Sequence, residues 1–206
     1  TRRSSDLLGA SMLVDPARYR WRCDSWPAPL RPVVCEMHIG TFTPEGTYAA
    51  AADRLPLLAE VGITAHMNPA LLLEVMPLAE FAGGFGWGYD GACLFAPSHL
   101  YGDPDGLRAF VDTAHGLGMG VILDVVYNHL GPIGGHLERF APGFYTERYV
   151  NDWGRSLDYE SPASGPVRSF AADNAAYWIE EFRLDGLRLD ATQNIYDFEE
   201  RHEHIL

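Results

Sequence analysis

Gly120-Val-Ile-Leu-Asp124-Val-Val126 is a continuous apolar run broken by a single carboxylate. Such a run predicts a strand covered on both faces, the usual state of a strand inside a parallel sheet. Reading outward from it, Pro104 opens a helix at its first turn, reaching about Leu117, and Gly118 stops it. Further upstream, Val33 to His38 is β-prone. Thr47 to Glu60 has helical spacing, although Pro56 must kink or divide it, and Gly62 closes it. Two apolar segments, Ile63 to Ala65 and Leu71 to Met76, compete for the second strand. Downstream, a Gly- and Pro-containing loop leads to a helix over Val167 to Phe182 and a strand over Leu184 to Leu189. A last, incomplete helix begins near Tyr196.

Strands that alternate with helices imply parallel strands joined by right-handed crossovers. An open doubly wound sheet and a (β/α)8 barrel both fit. The long loops after the second and third strands (roughly 77–103 and 127–165) favour the TIM-barrel type, whose ligand site is built from such loops. On this reading only the first four βα units of the α/β barrel are present. No G-x-G-x-x-G follows the first strand, and Gly83-Gly84-Phe85-Gly86 opens no helix, which disfavours a dinucleotide site. Residues 1–32 are rich in Arg, Pro, Ser and Trp without a clean period. They read as a linker or the end of a preceding module, and 33–206 as a partial barrel catalytic domain.

With 206 residues, 47% of them apolar, the chain can bury a sizeable core. Its net charge of −13 argues against nucleic acid as a partner and fits a neutral ligand such as a sugar. No run is long and apolar enough to span a membrane, and no leader-type stretch opens the chain, so a cytoplasmic location is expected. Cys23, Cys35 and Cys93 are odd in number and read as reduced thiols. No cofactor is expected. The histidines show no ligand spacing, so no catalytic metal is expected either.

Asp124 and Arg188 both sit inside apolar strands, Arg188 within Gly186-Leu-Arg-Leu-Asp190. A buried charge is costly unless paired, so the two should face each other across adjacent strands. Arg188 and Asp190 are two apart and share a face, which leaves Leu187 and Leu189 on the other. Asp190 lies at the carboxyl end of its strand, where barrel enzymes keep their chemistry, and Arg188 should hold it ionised and aimed. A buried ion-pair network that only fixes register is the bland alternative. Asn128 and His129 at the end of the neighbouring strand weigh against it, because polar groups then converge from two strands. An ionised Asp held by Arg suits attack on an anomeric carbon. His129 could donate to a sugar hydroxyl. In the loop Trp87-Gly-Tyr-Asp90, Tyr89 is flanked by Gly and could offer a flat face to a pyranose ring, while Trp87 reads equally well as core. No G-x-S-x-G elbow exists.

Asp124-Val-Val-Tyr-Asn128-His129 resembles the first conserved block of the α-amylase superfamily, and Gly186-Leu-Arg188-Leu-Asp190-Ala resembles the second. The resemblance implies a retaining glycosidase with Asp190 as nucleophile and Arg188 orienting it. His129 and Tyr89 would hold the sugar, with Trp87 and Asp90 in the same substrate-binding loop and Asp124 and Asn128 in support. Glu36-Met-His-Ile-Gly-Thr-Phe-Thr-Pro-Glu-Gly-Thr47, Trp87-Gly-Tyr-Asp-Gly91 and Val126-Tyr-Asn-His-Leu-Gly-Pro132 resemble the malto-oligosyltrehalose trehalohydrolase family more closely, over about residues 33–206. That family cleaves the α-1,4 bond beside a terminal trehalose, so an α-glucan oligosaccharide is the expected partner. A branching-type glucan transferase and a non-catalytic glucan-binding chain are the alternatives.

Three departures from the family pattern stand out. The resemblance implies a general acid Glu after a fifth strand, so the remainder of the barrel would be needed and this chain alone would be inactive. Residues 66–72 look like an insertion that must loop out or damage the second strand. Gln193 stands where relatives often carry His.

Overall fold

The computed structural model describes residues 11–23, 26, 32–60, 71–198 and 203–206. Its elements run β1 (Val33–Met37), α1 (Ile39–Phe42), α2 (Tyr48–Leu58), β2 (Leu71–Val75), β3 (Ala79–Phe81), β4 (Gly91–Pro97), α3 (Pro104–Gly116) and β5 (Gly120–Val125). They continue with α4 (Leu137–Phe140), β6 (Tyr145–Thr146), β7 (Ser156–Leu157), α5 (Gly165–Phe182) and β8 (Gly186–Leu189). Four strands form one parallel sheet in the order β1-β2-β5-β8. Each new strand joins on the same side as the last. That is the winding of a barrel, whereas doubly wound sheets reverse their strand order.

Two faces of different chemistry result from the register. Leu71, Leu73 and Val75 on β2, and Val121, Leu123 and Val125 on β5, are buried in the core that also takes in Leu55 of α2, Phe110 of α3 and Trp178 of α5. The alternate positions Glu74, Asp124 and Arg188 share the opposite face, because Glu74 pairs with Ile122 and Asp124 with Arg188. Helix starts follow local chemistry. The Thr47 hydroxyl accepts from the Ala50 N–H (3.2 Å) at α2, and Asp103 accepts from the Gly106 N–H (2.7 Å) at α3, where Pro104 occupies the first turn.

Several expectations are corrected. Helix α2 runs through Pro56, two residues before its end. One lost hydrogen bond is tolerated there, and the Ala59 N–H reaches both Leu55 O and Pro56 O. Leu71 and Leu72, read as inserted residues, are regular members of β2, paired with Val33 and Val34. The competing Ile63–Ala65, the helix stop at Gly62 and residues 66–70 of the insertion lie outside the described residues. Thr192–Asn194 form a 3-10 turn and Ile195–Phe198 are irregular, while residues 199–202, where the helix expected from near Tyr196 would continue, lie outside the described residues. The loop after β2 contains the antiparallel hairpin β3–β4, and β6–β7 form a second small hairpin in the loop after β5.

The segment before β1 is tied to α3 and β5. The buried Asp112 carboxylate accepts from the backbone N–H groups of Arg22 and Cys23, from Arg22 Nε (2.9 Å) and from the Tyr19 hydroxyl (3.3 Å). The Trp26 indole donates to the Gly118 carbonyl (2.9 Å) and lies over Gly120, where a Cβ would come within 2.5 Å of the ring. Among the described residues no helix is long and apolar enough to cross a membrane.

Candidate active site

Asp190 directly follows β8, Asn128 and His129 lie three and four residues beyond β5, and the hairpin carrying Trp87, Tyr89 and Asp90 follows β2. All of them therefore extend from the carboxyl ends of parallel strands, the face on which barrel sites are built. Arg188 Nη1 donates to both oxygens of Asp124 (2.9 Å each) and to Oδ1 of Asp190 (2.7 Å). One nitrogen thus bridges two carboxylates of unequal exposure. The Asp124 side chain is 1% exposed and that of Asp190 is 21% exposed. Burial pushes the Asp124 carboxyl above the usual carboxylate range, against the pull of its bonds to Arg188 and Tyr89. The same ion pairs, Asp124 first, raise the Arg188 guanidinium further, so it stays charged.

The Tyr89 hydroxyl donates to Asp124 Oδ2 (2.9 Å). Burial, then this bond, raises the phenol well above its ordinary value. Asp124 thus ties the loop after β2 to the arginine on β8, a link that the sequence did not disclose. His129 is 3% exposed, and Nδ1 meets Asn128 Oδ1 in a short hydrogen bond. Burial lowers its pKa, so the ring is neutral at pH 7; the nearby charges of Asp190 and Asp90 oppose this only in part. Asn128 also donates through Nδ2 to the Asp190 carbonyl (3.3 Å), and the Asp190 N–H bonds Val125 O (2.9 Å). The nucleophile candidate is therefore held through its backbone from β5 as well as through its side chain.

Trp87 is exposed and does not belong to the core; its ring meets His38 edge-on at 5.2 Å. Asp90 is exposed, and its carbonyl packs so tightly on Gly131 that a Cβ there would lie 2.0 Å away. Four further residues, Glu74, Trp153, Asn151 and Glu160, join the site without having been assigned to it. Glu74 Oε1 approaches Arg188 Nε (3.8 Å). Trp153, more than half exposed, stacks over His129 with ring centroids 6.4 Å apart and 28° between planes, while Asn151 donates to Asn128 Oδ1 (3.4 Å). Glu160 is buried and links the loop after β5 to the stretch after Asp190, accepting from Arg148 Nη1, the Tyr149 hydroxyl and the Phe198 N–H. Glu74 carried the same signal as Asp124, a charge inside an apolar strand. Trp153 and Glu160 carried none that distinguishes them from other loop residues.

No protein-family model matches the chain. The chain is 47% identical over 197 residues to a malto-oligosyltrehalose trehalohydrolase of Deinococcus radiodurans, covering 94% of this chain and 31% of that protein. It is 45% identical to the enzyme of the same name from Saccharolobus solfataricus, covering 82% of this chain and 29% of that one. A crystal structure of a putative alpha amylase from Salmonella typhimurium superposes with a TM-score of 0.86 at 44% identity, covering 97% of this chain and 33% of the other. The chain thus spans about a third of the length of the curated relatives it matches. Over its own span, it is a relative of the malto-oligosyltrehalose trehalohydrolases, with α-amylase-family enzymes as its structural neighbours.

Proposed function

We propose that this chain carries the nucleophile side of a retaining α-glycosidase that acts on α-1,4-glucans and releases trehalose from malto-oligosyltrehalose. The observation that carries the reading is the Arg188 bridge, which pairs a fully buried carboxylate with an accessible one. Asp124 spends its charge on orientation. Asp190 keeps its Oδ1 tied and its side chain within reach of a ligand, as attack on an anomeric carbon requires. Arg188 fixes the Asp190 carboxylate through Oδ1. Neutral His129, Tyr89 and Trp87 would meet the sugar, Asp90 would line the same loop, and Asn128 supports from behind. Trp153 beside His129 adds an exposed aromatic face to the same group of residues.

Double displacement by Asp190 needs a second carboxyl group about 5–5.5 Å away as general acid. On this reading the acid comes from the part of the relatives' length that this chain does not span, and the chain alone is inactive. The test is trehalose release from malto-oligosyltrehalose. The 206-residue chain is expected to release none at enzymatic rates, a protein extended to the relatives' full length to release it, and Asp190→Asn in that protein to abolish turnover while keeping sugar binding. Turnover by the chain alone, or by the extended Asp190→Asn variant, would overturn the assignment.

A further inference from the structure

The loop 82–90 between β3 and β4 presents Trp87 and Tyr89, so whatever holds it sets where an aromatic face meets the ligand. Its second half is fixed twice. Tyr89 is tied to Asp124, and Gly88, at φ +96°, lies so close to the Pro77 carbonyl that a Cβ would stand 2.1 Å from the oxygen. Its first half is held by His38, the residue that follows β1. His38 Nε2 is 2.9 Å from the Gly86 carbonyl oxygen, with the Tyr101 hydroxyl 3.2 Å from the same nitrogen. The imidazole stands between the Trp87 ring at 5.2 Å and the Tyr101 ring at 5.8 Å, both edge-on. Gly40 leaves it room, since a Cβ there would come within 2.9 Å of His38 Cε1.

A carbonyl only accepts, so Nε2 carries the hydrogen, and in a neutral ring Nδ1 is then bare. Nδ1 is buried without a partner among the described residues, which leaves a proton there unsatisfied. Burial also lowers the pKa of His38, in keeping with a neutral ring.

We propose that His38 is a positioning residue for the substrate loop: its Nε2–H grips the Gly86 carbonyl and holds Trp87 and Tyr89 where a glucan ring would lie. The inference rests on the glucan reading of the site for its purpose, but the grip itself is tested without sugar. The chain has five tryptophans, so 5-fluorotryptophan labelling gives five fluorine resonances, with that of Trp87 assigned by Trp87→Phe. His38→Phe keeps a flat ring and removes the donor. It is expected to move and broaden the Trp87 line while leaving the buried Trp178 line unchanged. His38→Gln, whose amide N–H can reach the same carbonyl, restores the line. Maltotetraose affinity should fall about tenfold in His38→Phe, the loss of roughly one hydrogen bond's worth of positioning, and recover in His38→Gln. A Trp87 line indifferent to His38→Phe, or displaced equally by His38→Gln, overturns the grip. An unchanged affinity in His38→Phe overturns its purpose. Nitrogen chemical shifts of the His38 ring in the unsubstituted chain need no variant: a ring protonated on Nδ1 alone also overturns the grip. Maltotetraose that perturbs no line of the unsubstituted chain would count against the glucan reading and leave the grip standing.

Discussion

Asp124 and Arg188 face each other in register across β5 and β8, with Arg188 Nη1 2.9 Å from both carboxylate oxygens. The pair is asymmetric, because the Asp124 side chain is 1% exposed and that of Arg188 is 41% exposed. Water can repair one loss and not the other. Arg188→Ala strands a buried carboxylate and should cost about 3–5 kcal/mol in urea denaturation. Asp124→Ala leaves a guanidinium that water and Asp190 can satisfy and a Tyr89 hydroxyl without its acceptor, so about 1–3 kcal/mol is expected. Equal losses, or the reverse order, would contradict the asymmetry.

His129 gives the fold a pH dependence with a definite sign. Burial lowers its pKa in the folded chain below the ordinary histidine value of about 6.5, so the unfolded chain binds a proton that the folded chain resists. Its contribution is present above about pH 6.5 and is lost as pH falls from there through the lowered folded value. Stability of the unsubstituted chain minus that of His129→Gln, measured by urea unfolding from pH 8 to 5, should therefore decrease toward acid. A flat difference would mean that His129 is as easily protonated in the folded chain as in the unfolded one.

Asp112 gathers the segment around Tyr19, Arg22 and Cys23 onto α3. Asp112→Ala removes every one of those acceptors. About 2–3 kcal/mol of stability should go with them, the scale of charge-assisted bonds at a buried acceptor. Trypsin should then cut at Arg18, Arg20 or Arg22 before it cuts elsewhere. Unaltered cleavage kinetics at those sites would show that the segment is held by other contacts, such as Trp26 on Gly120.

Ala191, next to the candidate nucleophile, is one of two non-glycine residues with positive φ among the described residues, at +43°. A left-handed alanine costs about 1–2 kcal/mol, and glycine in its place brings an entropic cost of roughly 0.5–1 kcal/mol. Ala191→Gly should therefore unfold at the same denaturant concentration or slightly higher, and Ala191→Val should unfold earlier, since a branched side chain suits this conformation worse. A marked loss of stability in Ala191→Gly would mean that the methyl group itself packs usefully.

What the sequence disclosed and what it hid follow one physical divide. β5, β8 and the Asp124–Arg188 pair were legible because a charge inside an apolar strand has few affordable explanations, and pairing across the sheet is the simplest. The same rule, applied to Glu74 in Leu71-Leu-Leu-Glu-Val75, would have brought it to Arg188 as well. The loops obey no such rule. Trp153 reaches His129, and Glu160 reaches Phe198, through contacts between segments 24 and 38 residues apart, which no local periodicity encodes. Pro56 does not divide its helix for a related reason: its penalty is local, while Leu55 beside it is packed in the core.

β2 enters its pairing at Leu71 and meets both neighbours in register through Val75, ending on the side of the sheet where Asp190 stands. Its amino end, at Leu71, is the opposite rim. Glu74 and the hairpin that carries Tyr89 both lie on the carboxyl side of that end. For the protein engineer, the same rim is the place to graft a tag or tether without disturbing the chemistry on the far side.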